Sequence, residues 1–152
     1  MSEQAQEATF VLQRIYVKDL SFESPRAPDE FLKQWKPIIG LELDVSNASI
    51  GEDSFEVTLG LTVTAKNEAE EVVYLIELQQ SGIFVIKGVT EEVLSQTLGS
   101  FCPNVLFPYA RETLDSIVTR GSYPPLMLAP INFDAMYMQA KAAGEAETAP
   151  IQ

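Results

Sequence analysis

Histidine is absent from this 152-residue chain, cysteine occurs once, and basic residues are outnumbered by acidic ones, 10 against 22. Without histidine the commonest general base near neutral pH and the commonest metal ligand are both missing, so Ser-His-Asp and Cys-His chemistry are excluded. Cys102 alone permits neither an intramolecular disulfide nor a thiolate zinc cluster, and its expected role is that of a small buried hydrophobe. The formal charge, 10 − 22 = −12, repels phosphate backbones, which bind proteins through Lys and Arg. Nucleic acid is therefore not an expected partner. No apolar run approaches the roughly 18 residues that a membrane span needs, and insertion into a membrane is not expected. MSEQAQEATF lacks the basic start and apolar stretch of a secretory signal, which points to the cytoplasm. Gly82, Gly88, Gly99 and Gly121 are scattered, and no GxxxxGK[ST] or GxGxxG precedes a helix. No nucleotide or other cofactor is expected.

What is present describes one acidic domain: 46% of the residues are apolar, and a chain of this length buries roughly 70% of its unfolded surface. Residues 1–8 and 145–152 are small, polar or acidic and are expected to be mobile tails around a single domain over 9–144. The first half alternates with period two. A strand is expected from Thr9 to Val17, with a Pro25- and Pro28-containing loop from Asp19 to Asp29. Ile39, Leu41, Leu43 and Val45 form one face of a second strand, which ends at a turn over Asn47 to Asp53. Phe55, Val57, Leu59, Leu61, Val63 and Ala65 alternate with polar residues in a third. Glu71 to Ile86 reads as a fourth, with Val72, Tyr74, Ile76 and Leu78 on one face. Its other face mixes Val73 and Leu75 with Glu77 and Gln79, a composition that suggests a contact surface.

The second half changes period. Thr90 is placed to cap a short helix that carries Glu91 and Glu92 in its first turn and ends near Gly99. A longer helix follows, with Pro108 at its first position, Ala110, Leu114, Ile117 and Val118 at helical spacing, and Gly121 as its stop. Pro124, Pro125 and Pro130 enforce an extended connection, after which Asn132 or Asp134 caps a last helix that carries Phe133, Met136, Tyr137 and Ala140 to Gly144. Strands first and helices last define an α+β fold with a four-stranded antiparallel sheet. The carboxylates Glu68, Glu70 and Glu71, like Glu52 and Asp53, fall in turns and read as solvated. Large aromatic side chains, among them Trp35, Tyr74, Phe101, Tyr123, Phe133 and Tyr137, exceed what one sheet and its helices can cover, which points to binding rather than catalysis.

The run CPNVLFPYARETLDSIVTRGSYPPLMLAPINFDAMY from Cys102, with LQQSGIF from Leu78, RIYVKDLSFE from Arg14 and Trp35-Lys36-Pro37, closely resembles the SecB family of protein-export chaperones over roughly Thr9 to Ala140. The resemblance implies an ATP-independent holdase without catalytic activity. Such a protein keeps unfolded secretory precursors translocation-competent and hands them to the SecA motor of the translocon. It further implies a homotetramer, a dimer of dimers in which the sheets of paired protomers join and the long helices meet between dimers. On that reading Leu114 and Ile117 lie at the oligomer interface, and Asp19, Glu23, Leu75 and Glu77 form the SecA-docking surface. Trp35, Ile39, Leu41, Leu43, Tyr74, Phe133 and Tyr137 line the client groove. The family's acidic C-terminal tail is matched here by EAETAPIQ, with only Glu145 and Glu147 as carboxylates. A SecB-like chaperone that controls a toxin-antitoxin pair is the alternative within this fold, and a small-ligand-binding or enzymatic domain is the alternative outside it.

Overall fold

The computed structural model describes residues 7–148. Four strands, β1 (Thr9–Glu23), β2 (Ile38–Gly51), β3 (Ser54–Lys66) and β4 (Val72–Lys87), form one antiparallel sheet in the order β1-β4-β3-β2. Three helices follow: α1 (Glu91–Gln96), α2 (Cys102–Arg120) and α3 (Phe133–Thr148). The α+β class and the four antiparallel strands are as the sequence predicts. The register aligns leucines from all four strands in one row, Leu43 opposite Leu61, Leu61 opposite Leu78, and Leu78 opposite Leu20. Such a row gives the sheet one apolar face, and α2 lies on it over β4 and β3. Val57, Leu59, Val63, Ile76, Phe84, Leu106, Ala110 and Val118 are all fully buried there. A Cβ at Gly82 would stand 3.0 Å from the Leu106 side chain, so the missing side chain lets α2 approach β4.

Several boundaries differ from the expected ones, each for a physical reason. β1 does not stop at Val17 but runs to Glu23, and the expected loop begins only after it. Register shifts between Leu12 and Arg14 and between Val17 and Asp19 break the period-two pattern that would have revealed its second half. β2 continues past Asn47 to Gly51 because backbone pairing with Phe55 and Val57 holds it where its side chains are polar. Thr90 does cap α1, accepting a hydrogen bond from Val93 N at 3.2 Å. The chain then fails to stop at Gly99: a π-helical turn, Thr97–Phe101, carries it into α2. The proline in the first turn of α2 is Pro103, and Pro108 lies inside the helix. Asn132, not Asp134, caps α3, its Oδ1 accepting from Ala135 N at 3.0 Å. α3 runs four residues beyond Gly144 to Thr148. Of the two expected tails, 1–6 and 149–152 lie outside the described residues. Cys102 is fully buried, and burial pushes its thiol up to about 12, which makes it unreactive at neutral pH.

A candidate client groove and an acidic sheet face

The helix-bearing face of the sheet is incompletely covered. On β2, the edge strand farthest from β1, Ile39 and Leu41 point to the same side as the core yet stay 39% and 37% exposed. Leu43 and Val45 are half-buried and pack against the core cluster. At the end of the sheet near Ile39, Tyr74 is fully buried beneath a group of rings. Trp35 stacks on it at 6.3 Å and 17°, Tyr123 lies 5.0 Å away and Phe22 6.1 Å away. Phe31 adds a contact to Tyr123 at 5.3 Å.

Two irregular segments carry Phe31, Trp35 and Tyr123. The β1–β2 connection, residues 24–37, is held at the β3–β4 turn by Glu30, which is buried to 7% exposure. Asn67 Nδ2 donates to Glu30 Oε2 at 3.3 Å and to Glu71 Oε1 at 3.1 Å, while its Oδ1 accepts from Ala69 N and Glu71 N. Arg26 pairs with Glu71, and Lys33 Nζ lies 3.6 Å from Glu30. Glu71 is thus an anchor, not a solvated turn residue. The second segment leaves α2 through Ser122, whose φ is +67°, and returns along the helix. Asp115 Oδ1 accepts from Leu126 N at 2.9 Å and from Met127 N at 3.2 Å. Leu126, Leu128 and Ile131 pack inward along it.

The expected groove residues other than Leu43 therefore fall into two groups. Trp35, Ile39, Leu41 and Tyr74 belong to the end where Tyr123 N bonds Val118 O. Phe133 and Tyr137 belong to the other end: Phe133 packs on Phe107 at 5.9 Å and is 2% exposed, and Tyr137 lies over Gly99 with its hydroxyl 2.9 Å from Ser95 Oγ. Phe107 and Val118 are separated by about 16 Å of helix, and the segment 123–131 bridges that distance. Beside Phe133 opens a cavity of about 640 Å³, walled by Phe10, Val93, Phe101 and Ile131 and edged by Gln96 and Asp134. Tyr74 and Phe133 are core in this protomer, whereas Ile39 and Leu41 offer free apolar surface. Sequence reading placed Tyr123 among the aromatics but not in the groove; its position straight after the helix stop was the available signal.

The other face of the sheet is acidic. Glu23 pairs with Leu75, Ser21 with Glu77 and Asp19 with Gln79, so Asp19, Glu23, Leu75 and Glu77 share one face of the adjacent strands β1 and β4. Asp19, Glu23 and Glu77 are exposed, and Leu75 is half-buried. The same rows continue through Thr62 to Glu42 and through Gly60 to Asp44. Asp19, Glu42, Asp44 and Glu77 thereby border one shallow depression around Gly60. Glu42 and Asp44 were not among the expected site residues, although their alternation with Leu41 and Leu43 marked them as facing away from the core. Farther along this face Glu56 accepts hydrogen bonds from Lys18 at 2.8 Å and from the Tyr16 hydroxyl, and in that order these hold its carboxyl below the usual carboxylate range.

Leu114, expected at an oligomer interface, has no exposed surface within the protomer and belongs to its core cluster. Ile117 is half-buried. The outward side of α2 instead carries Tyr109, Glu112, Ser116 and Arg120.

A family model described as preprotein translocase subunit SecB matches residues 3–144. The chain belongs to the SecB family. It is 55% identical over 149 residues to the protein-export protein SecB of Stutzerimonas stutzeri, covering 95% of this chain and 90% of the relative. Against the protein of the same name from Marinobacter nauticus it is 53% identical over 152 residues, covering 96% and 92%. Among solved structures, a SecB-like chaperone of Mycobacterium tuberculosis in complex with a peptide from an antitoxin matches with a TM-score of 0.68 at 20% identity, over 80% of this chain and 90% of that one. That likeness concerns the fold of the SecB protomer. The sheet order and trailing helices of this chain are those of a SecB-like chaperone fold.

Proposed function

We propose that this SecB-family chain is an ATP-independent holdase that works in the cytoplasm, binds unfolded secretory precursors along the strip from Ile39 and Trp35 to Phe133, and presents them to the SecA motor. The observation that carries this reading is the uncovered apolar side of β2 beside a cluster of rings, in a chain whose relatives are named for protein export. Apolar surface of this kind binds by area and reads no sequence, which suits clients that share only their unfolded state. The acidic face of β1 and β4 supports docking of a basic partner surface at Asp19, Glu23, Leu75 and Glu77, with Glu42 and Asp44 enlarging the field. The protomers form a homotetramer in which the exposed edge of β1 pairs with a second copy and the outer sides of α2 meet between dimers.

The deciding experiment dilutes a chemically unfolded secretory precursor out of denaturant and follows light scattering with and without the protein and ATP. Suppression of aggregation that is indifferent to ATP is the expected result. No suppression, or suppression only with ATP, overturns the proposal. The toxin-antitoxin reading is less supported: the structure that suggests it shares 20% identity with this chain, whereas relatives above 50% are named for export.

A further inference from the structure

Tyr74 is buried completely, and among the described residues its hydroxyl is the one side-chain polar group that is sealed from water without a hydrogen-bond partner. The Tyr123 hydroxyl and one oxygen of Asp115 have partners of their own. Tyr123, whose ring lies 5.0 Å away, bonds through its own hydroxyl to Ser24 Oγ. Of the nearby Asp115 carboxylate, Oδ1 accepts from the N–H groups of Leu126 and Met127. Phenylalanine would fill the same space between Trp35, Phe22 and Tyr123 without burying an unmatched donor, so packing alone does not account for the oxygen. The rings over it, Trp35 and Tyr123, come from the two irregular segments. Those segments also keep apolar side chains in water, Leu32 at 89% exposure and Met127 at 76%. Segments held by few internal backbone hydrogen bonds open at lower free energy than strands or helices do.

We propose that the Tyr74 hydroxyl is a hydrogen-bond donor for a backbone carbonyl of the bound unfolded segment, reached when Trp35 and Tyr123 move off it. The proposal rests on the holdase reading and adds to it one specific polar contact. An extended chain offers a carbonyl at every residue whatever its sequence, so a lone neutral donor in an aromatic site fixes the client's backbone without selecting its side chains. The unmatched donor also raises the free energy of the closed arrangement. Binding gives that donor its partner, a gain on the order of one neutral hydrogen bond.

The test compares the wild-type protein with Tyr74→Phe, using reduced, carboxymethylated ribonuclease A as a permanently unfolded probe. That probe contains no tryptophan, so the emission of Trp35, the single tryptophan of this chain, reports on the site alone. In the wild type Trp35 emission shifts as the probe binds. In Tyr74→Phe the denaturation midpoint stays level or rises, while affinity for the probe falls by about fivefold, the loss of one neutral hydrogen bond. Equal affinities for the two proteins overturn the proposal while leaving the holdase reading intact. A Tyr74→Phe protein that is both less stable and weaker in binding also overturns it, because the hydroxyl would then support the resting fold. A wild-type protein that does not bind the probe at all overturns the holdase reading itself.

Discussion

Glu56 is the side chain where the charge balance of the sheet face reaches into stability. It receives Lys18 on one oxygen and Tyr16 on the other, and its folded pKa lies below the ordinary value of 4.5. A depressed carboxylate stabilises the fold fully above its unfolded pKa, and the contribution disappears as pH falls through the folded value. Acid should therefore cost the wild type more stability than Glu56→Gln, which has no charge to lose. Urea midpoints for both proteins at neutral pH and at about pH 3 check this; parallel loss in the two would mean that the Lys18–Glu56–Tyr16 group is only a surface contact. Tyr16 carries the opposite sign. Burial, then its bond to Glu56, pushes it up to about 12, so its contribution is complete below its ordinary value of 10.0 and is lost as pH rises through about 12.

At the scale of elements, α2 decides whether the fold and the assembly can be separated. Leu114 is sealed against the sheet together with Leu106, Ala110 and Val118. Truncation of a fully buried leucine leaves a cavity and typically costs about 2–5 kcal/mol. Leu114→Ala should lower the protomer's own unfolding free energy by that order, seen as an early, cooperative loss of helix in a denaturant titration. A variant of unchanged unfolding midpoint that dissociates on dilution would return Leu114 to the interface between dimers. The same helix illustrates what the sequence could carry. Its apolar spacing and its stop at Gly121 were legible, because local periodicity and a helix terminator are properties of neighbouring residues. Its start was not: Pro108 resembles a first-turn residue, and nothing local announces that a π-turn joins α1 to α2 through Gly99 where Tyr137 lies on the backbone. β3 and β4 were legible for the same reason as the helix, whereas the bulges of β1 hid its second half. For the candidate site, the sequence offered the candidate residues but not their grouping. Which of Tyr74, Phe133 and Leu41 is core, and which is open, depends on how far α2 reaches across the sheet.

For the whole molecule, the proposed function divides the work among the two faces and the two edges of one sheet. β1 is an edge strand of 15 residues with Val11 and Val17 each 46% exposed, a long unpaired edge of the kind that monomers avoid. Pairing with a second copy would hide it, and Val11→Lys with Val17→Lys should break the assembly into smaller species, pairs of 16.8 kDa chains held through α2, in equilibrium sedimentation while the protomer stays folded. A wild type that is already monomeric at micromolar concentration removes the tetramer from the proposal. Joining two protomers through β1 would also bring two acidic faces into one larger sheet. Each then sets Glu23 and Glu77 around the half-buried Leu75 close to the seam. A basic partner surface would be drawn in by charge and held by that one apolar contact, so its affinity should fall as salt rises. Because Glu77 is exposed and makes no ion pair among the described residues, reversing its charge should leave the fold and the tetramer intact. Glu77→Lys should weaken binding of the SecA motor by about 1–3 kcal/mol, around the low end of the coupling energies of close interfacial charge pairs. Calorimetric titration of the motor into the variant, with sedimentation as a control for assembly, separates the outcomes: an unchanged affinity in an intact tetramer places the docking surface away from this face, and a loss that vanishes in high salt locates it here.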